Sequence, residues 1–225
     1  LMAVLYDRVA LIGLGLIASS MAHAIRKAGL AREIVGYARS PETRATALEI
    51  GLCDRVTETA AEAVVDADLV VLCIPVGGMG DVAREIGPHL KPGATLTDVG
   101  SVKQSVIDAV APFVPEGVEF IPGHPLAGTE HSGPRSGFAE LFRNRWWILV
   151  PLPGGSDAAL ERLEALCRGM GANVETMDAE HHDLVLAVTS HTPHLIAYTM
   201  VGVADDLGRV TDSAVSYTHL TLPTK

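Results

Sequence analysis

The chain has 225 residues, 48% of them hydrophobic and 20% charged, enough to bury one full core and part of a second. A net charge of −10 with only 17 lysines and arginines excludes a nucleic-acid surface, but not a small anion held by local cations or a helix N-terminus. Three widely spaced cysteines without a CxxC, no N-terminal signal pattern and no apolar run near the roughly 20 residues of a membrane span lead us to expect a soluble, cytoplasmic protein with no membrane partner.

In chain order, "RVALIGLGLIASSMAHAIRKAG" reads as a strand, a glycine turn and a helix closed by Gly29. "EIVGYARS" is a second strand, after which Ser40 and Pro41 suit the N-cap and first turn of a helix. Thr59 and Glu62 have capping-box spacing. "ADLVVLCIP", an apolar run ended by proline, has the character of a buried parallel strand, in which Cys73 is an inert thiol. "ATLTDVGS", "VEFIPGHP" and "RWWILVP" read as further strands, and a helix from Asp157 to Met170 and a strand from Asn173 to Met177 are expected to complete the same sheet. The βαβα rhythm predicts an α/β fold, a Rossmann-type doubly wound sheet over 5–177, followed by the start of an all-helical second domain over 178–214. From Val215 the composition turns to Ser, Thr and Leu without helical spacing, so 215–225 is expected to be a non-native tail.

Gly13-Leu14-Gly15-Leu16-Ile17-Ala18 follows the first strand and opens the first helix, the context that a GxGxxG/A dinucleotide fingerprint requires. Gly13 makes the tight turn, Gly15 lets backbone approach a pyrophosphate, and the helix N-terminus at Leu16 and Ile17 supplies partial positive charge. The second strand ends in Tyr37-Ala38-Arg39-Ser40, with no acid for the ribose 2′-hydroxyl of NAD. Arg39 and Ser40 are candidate contacts to the 2′-phosphate of NADP, with a solvated Arg39 as the bland alternative. The cofactor expected is therefore NAD or NADP, with NADP permitted. Pro75 and Val76, past the end of another strand, are expected on the nicotinamide side.

"GHPLAGTEHSG", from Gly123 to Gly133, gathers His124, Thr129, Glu130 and His131 among glycines. Such a segment is too rich in proton-handling groups for an ordinary turn. Ligands of doubly wound sheets bind outside the carboxyl ends of the strands, where Ser101 and His124 both fall. A histidine titrating near neutrality can take the proton of an alcohol while the carbinol carbon is oxidised. The chemistry expected is alcohol oxidation.

"GLGLIASS", "DVGSVK", "GHPLAGTEHSG", "NRWWILVP" and "SHTPHL", in this order, resemble the prephenate dehydrogenase family, which includes cyclohexadienyl and arogenate dehydrogenases. The likeness runs from Val9 to Ala214. It implies NAD(P)-dependent oxidative decarboxylation of prephenate to 4-hydroxyphenylpyruvate, or of arogenate to tyrosine, in tyrosine biosynthesis. It also implies a homodimer formed through the helical domain. By the same resemblance His124 is the catalytic histidine, and Ser101 bonds both the substrate hydroxyl and that histidine. Glu130, with Thr129 beside it, gates or tunes ligand binding, and His194 helps to bind substrate.

His191 and His194 are three residues apart and share a helix face, and Pro193 between them predicts a bend. His191 either orients His194 or packs. An HxxH pair is not the HExxH spacing of a zinc site, and no metal is expected. His131, His181 and His182 are read as surface residues, Trp146 and Trp147 as packing, and Arg143 and Arg145 as solvated cations. Two competing readings are a β-hydroxyacid or imine-type reductase, whose second domain usually opens with a catalytic lysine or acid, and a nucleotide-binding fragment without catalysis. The resembled family continues beyond this ending and supplies an arginine for a substrate carboxylate. The expectation is that a chain of this length binds nucleotide but turns over substrate poorly, with Leu184, Leu195 and Ile196 exposed.

Overall fold

The computed structural model describes residues 3–210, with the side chains of 190, 191, 194, 202 and 204–210 outside that description. The expectation for a tail at 215–225 therefore lies outside the described residues. The first half of the chain alternates strand and helix: β1 (Tyr6–Ile12), α1 (Leu16–Ala28), β2 (Ala31–Tyr37), α2 (Pro41–Glu49), β3 (Arg55–Val56), α3 (Ala60–Val64), β4 (Leu69–Leu72), α4 (Met79–Ile86), β5 (Thr95–Asp98), α5 (Gln104–Val110) and β6 (Glu119–Phe120). These strands form one parallel sheet in the order β3-β2-β1-β4-β5-β6. The order reverses between β1 and β4, and that switch point opens the crevice in which such sheets hold ligands.

Local chemistry accounts for the helix ends. Gly29 closes α1 in the left-handed conformation (φ 67°), and the Ser40 hydroxyl caps α2 by accepting from the Thr43 N–H, with Pro41 at the first turn. Thr59 and Glu62 form a reciprocal capping box on α3. Apolar side chains cover both faces of the sheet. Met21, Ile25 and Leu163 pack on one side, and Met79, Ile86, Val106 and Val110 on the other.

The sequence expectation of a single sheet needs correction. The run from Val118 to Pro125 is not one strand. Its first part, β6, pairs with β5, whereas β7 (Gly123–Pro125) pairs antiparallel with β8 (Trp146–Leu149). β9 (Asn173–Thr176), reached through α6 (Asp157–Gly169), adds in parallel to β8, so the strand at Asn173 completes a separate three-stranded mixed sheet. Pro122 at the junction has no N–H for the ladder, and the Gly123 N–H goes to the Asp98 side chain at 3.1 Å instead of a backbone carbonyl.

Beyond β9 the described chain is helical: α7 (Ala179–Leu186), a π-helical turn (Ala187–His191) and α8 (Thr192–Val210). The distortion expected at Pro193 takes the form of this wide turn, because proline gives no N–H to the Thr189 carbonyl. Leu184, Leu195 and Ile196 are exposed, as expected. No helix among the described residues is long and apolar enough to cross a membrane.

The capping box yields a first prediction. Thr59→Ala removes the acceptor for the Glu62 N–H and should lower stability by about 1 kcal/mol in urea unfolding, with no change in nucleotide affinity.

Candidate active site

A cavity of about 870 Å³ lies over the switch point and is lined by Gly13, Gly15, Tyr37, Arg39, Ser40 and Pro75, among others. Gly13 has φ +96°, and a Cβ there would lie 2.4 Å from the Cys73 carbonyl oxygen, so the turn between β1 and α1 must be glycine. At Gly15 an added Cβ would meet no protein atom within 4 Å. Glycine there leaves room for a ligand rather than relieving an internal clash. Gly15 is also the N-cap of α1 and offers no side-chain cap, so the first-turn N–H groups face the cavity end without a capping oxygen. These features fit the pyrophosphate of a dinucleotide. Leu16 and Ile17 enter through that helix end, since their side chains are half-buried against the core and do not line the cavity. Val76 likewise packs against the core, while Pro75 lines the cavity.

At the end of β2, Ala38 is buried and Arg39 is exposed at the cavity wall. Ser40 lines the cavity, where its oxygen accepts from Thr43 N at 3.2 Å and its hydroxyl donates to Glu42 Oε2 at 2.5 Å. A second cation that the sequence reading did not single out, Arg44, donates from Nη1 to the carbonyls of Ala38 and Arg39 at 2.7 and 3.1 Å. It is thereby fixed beside the same loop.

The histidine site is built on a buried ion pair. Asp98, the last residue of β5, and Lys103 are both fully buried and in contact through Oδ2 and Nζ. Asp98 also accepts from the N–H groups of Gly100 (2.7 Å) and Gly123 (3.1 Å), and Lys103 Nζ donates to the Gly123 carbonyl at 2.6 Å. Burial pushes the Asp98 carboxyl up and the Lys103 ammonium down, each against the pull of its partner. The residue after Gly123 is His124, 9% exposed, so the pair fixes the strand that carries it.

His124 Nδ1 lies 2.9 Å from Nε2 of His182, and His182 Nδ1 lies 2.8 Å from Asp183 Oδ1. Asp183 also accepts from the N–H groups of Lys103 and Gln104 at 2.7 and 2.9 Å, which ties α7 to the start of α5. His182 is fully buried, correcting its reading as a surface residue. The missed signal was helical spacing: Ala179, His182 and Leu186 form the buried stripe of α7. Lys103 and Asp98 could have been found from an acid inside an apolar strand, which must have a partner to be buried.

Ser101 is exposed on the loop between β5 and α5, two residues before Lys103. Thr129 is half-buried and its hydroxyl accepts from the His131 N–H, while Glu130 and His131 are exposed, 3.5 Å apart. The side chains of His191 and His194 lie outside the described residues. The loop after His124 returns to the nucleotide end, where Gly133 and Pro134 line the large cavity and the Phe138 N–H donates to Ser20 on α1. The structure thus joins the two expected sites through one loop. Trp147 is buried against Phe142, Trp146 is half exposed, and Arg143 and Arg145 are exposed.

The ion pair generates a second prediction. Lys103→Met leaves a buried carboxylate unpaired and should cost about 3–5 kcal/mol in chemical unfolding, part of which Asp98→Asn in the same chain should restore.

Residues 21–176 match the family model described as the prephenate dehydrogenase nucleotide-binding domain. The chain is 42% identical over 198 residues to a cyclohexadienyl dehydrogenase of Zymomonas mobilis, the match covering 88% of this chain and 67% of that protein. To a prephenate dehydrogenase of Bacillus subtilis it is 35% identical over 196 residues, the match covering 87% of this chain and 53% of that one. Among solved structures, a prephenate dehydrogenase from A. aeolicus, in complex with hydroxyphenyl propionate and NAD+, superposes with a TM-score of 0.86 at 28% identity, covering 96% of this chain and 77% of that chain. The chain spans about half to two thirds of the length of these curated relatives. With its fold, glycine cradle and buried histidine strand described, the chain belongs to the prephenate dehydrogenase family.

Proposed function

We propose that the chain forms the nucleotide-binding and proton-accepting part of an NAD(P)-dependent dehydrogenase that oxidatively decarboxylates prephenate or arogenate. The observation that carries this reading is His124, buried beside the Asp98–Lys103 pair and hydrogen-bonded to His182, on a strand whose following loop lines the dinucleotide cavity. When bound, the dinucleotide supplies the two-electron acceptor. Gly13, Gly15 and the first-turn N–H groups of Leu16 and Ile17 hold its pyrophosphate, and Pro75 and Val76 border its nicotinamide end. His124 takes the proton of the ring hydroxyl as the carbinol carbon is oxidised, while Ser101 orients that hydroxyl. Loss of carbon dioxide gives an aromatic product, which makes the step irreversible. Thr129, Glu130, His191 and His194 bind or admit the substrate. Following the family likeness, the protein acts on a small molecule in the cytoplasm as a homodimer.

His124→Asn should lower turnover of prephenate or arogenate about a hundredfold, the scale of losing a general base, and leave nucleotide affinity within about twofold. Equal turnover in the variant overturns the assignment.

At the ribose end, Arg39 and Ser40 line the cavity, and no acid on the β2 terminus repels a 2′-phosphate. Titration of both nucleotides should give NADP+ affinity within about tenfold of NAD+, and Ala38→Asp should shift the ratio toward NAD+ by about tenfold or more, about 1.4 kcal/mol. Wild-type preference for NAD+ beyond tenfold rejects this reading.

A further inference from the structure

Asp183 and His182 lie on α7, at the beginning of the helical part, yet their polar atoms face the nucleotide-domain strand that carries His124. Three donors converge on the Asp183 carboxylate: the N–H groups of Lys103 and Gln104, and Nδ1 of His182. Burial pulls that carboxyl up, but these contacts outweigh it and hold it below its ordinary value, so at neutral pH it is an acceptor only.

The protonation of both rings then follows by elimination. Since Asp183 can only accept, His182 carries its proton on Nδ1. Burial lowers the His182 pKa against the pull of Asp183, so the ring is neutral and Nε2 is bare. A bare Nε2 2.9 Å from His124 Nδ1 requires that His124 donate there. The proton of neutral His124 is thus on Nδ1, and Nε2 is its basic nitrogen.

We propose that Asp183, acting through His182, is the positioning residue that locks His124 in the Nδ1–H tautomer and so makes Nε2 the proton acceptor. An isolated histidine favours the opposite tautomer, with its proton on Nε2, which can only donate at that position. Asp183 removes that competing state. It also ties the lock to the loop carrying Ser101, because its other two donors open α5 immediately beyond that loop. The part of this inference that concerns catalysis rests on the proposed dehydrogenase function. The tautomer itself does not.

The test is long-range 1H–15N correlation of the chain labelled with 15N-histidine at neutral pH, with the His124 and His182 signals assigned by His124→Asn and His182→Leu. Both rings should show the Nδ1–H pattern. Asp183→Ala should return His124 to the Nε2–H form. If Asp183→Ala fails to fold because α5 loses its cap, His182→Leu decides, since it removes the acceptor of His124 Nδ1 and leaves the Asp183 carboxylate bonded to the start of α5. His182→Gln, which presents an amide oxygen in place of Nε2, should restore the Nδ1–H signal. An Nε2–H pattern for His124 in the wild type, or an unchanged Nδ1–H pattern in the folded variant, overturns the proposal. Where turnover is measurable, Asp183→Ala should lower kcat about a hundredfold with little change in KM, and His182→Gln should recover part of it. A tautomer that shifts as stated while measurable turnover stays unchanged would sustain the lock and reject the catalytic role proposed for His124.

Discussion

The buried contact between Asp98 and Lys103 is the interaction on which the rest of the site depends. Two opposite charges sealed from water are costly alone, and breaking such a pair costs about 3–5 kcal/mol. The same carboxylate takes the N–H groups of Gly100 and Gly123, and the ammonium takes the Gly123 carbonyl. One charge pair therefore does what a backbone ladder does elsewhere in the sheet. It carries the register of β5 across the break at Pro122 and delivers His124 to the carboxyl end of the sheet. Gly123 has to be glycine for the same reason, since a Cβ there would lie 2.9 Å from the Asp98 carbonyl.

From this pair the polar network spreads outward in one direction. Lys103 and Gln104 give their N–H groups to Asp183, Asp183 takes the His182 ring, and His182 meets His124. The path leaves the nucleotide domain, enters the first helix of the helical part and returns. Such a closed polar circuit is worth its desolvation only when each member is satisfied, which is why residues as hydrophilic as Lys103 and His182 are fully buried here. Its consequence is rigidity around His124. The loop that follows His124 links this rigid half to the nucleotide cavity, with Gly133 and Pro134 at the cavity wall and the loop's far end bonded to α1. His124 and the glycine turn between β1 and α1 are thereby held in one frame.

Local signals were legible from residues alone because each has a short-range cause. Gly29 ends a helix by its left-handed φ, Ser40 and Thr59 cap helices with their own oxygens, and Gly13 and Gly15 stand where a strand turns into a helix. The doubly wound class followed from the alternation of apolar runs and amphipathic helices, and His124 stood out because a histidine among glycines just past a strand has few structural uses. A series of distinct motifs in fixed order added the family, which periodicity by itself does not carry.

Tertiary structure decided what depends on partners distant in the chain. Nothing near Asn173 says that its strand joins β8 in a second sheet rather than the parallel one, because pairing is set by which edge is open after Pro122 breaks the run. The Ser40 hydroxyl is engaged with Glu42 and Thr43, and Arg44 is held by the Ala38 and Arg39 carbonyls, contacts that only the folded loop brings together. His182 and Lys103 carry residue types that normally seek water, and their burial is explained by partners: Asp183 adjoins His182, but His124 is 58 residues away from it, and Gly123 is 20 from Lys103. Sequence by itself determined which residues carry titratable groups and where the glycine turn lies. The fold decided which of them meet, because a buried polar group is fixed by the contacts that satisfy it, and those contacts are made across the chain.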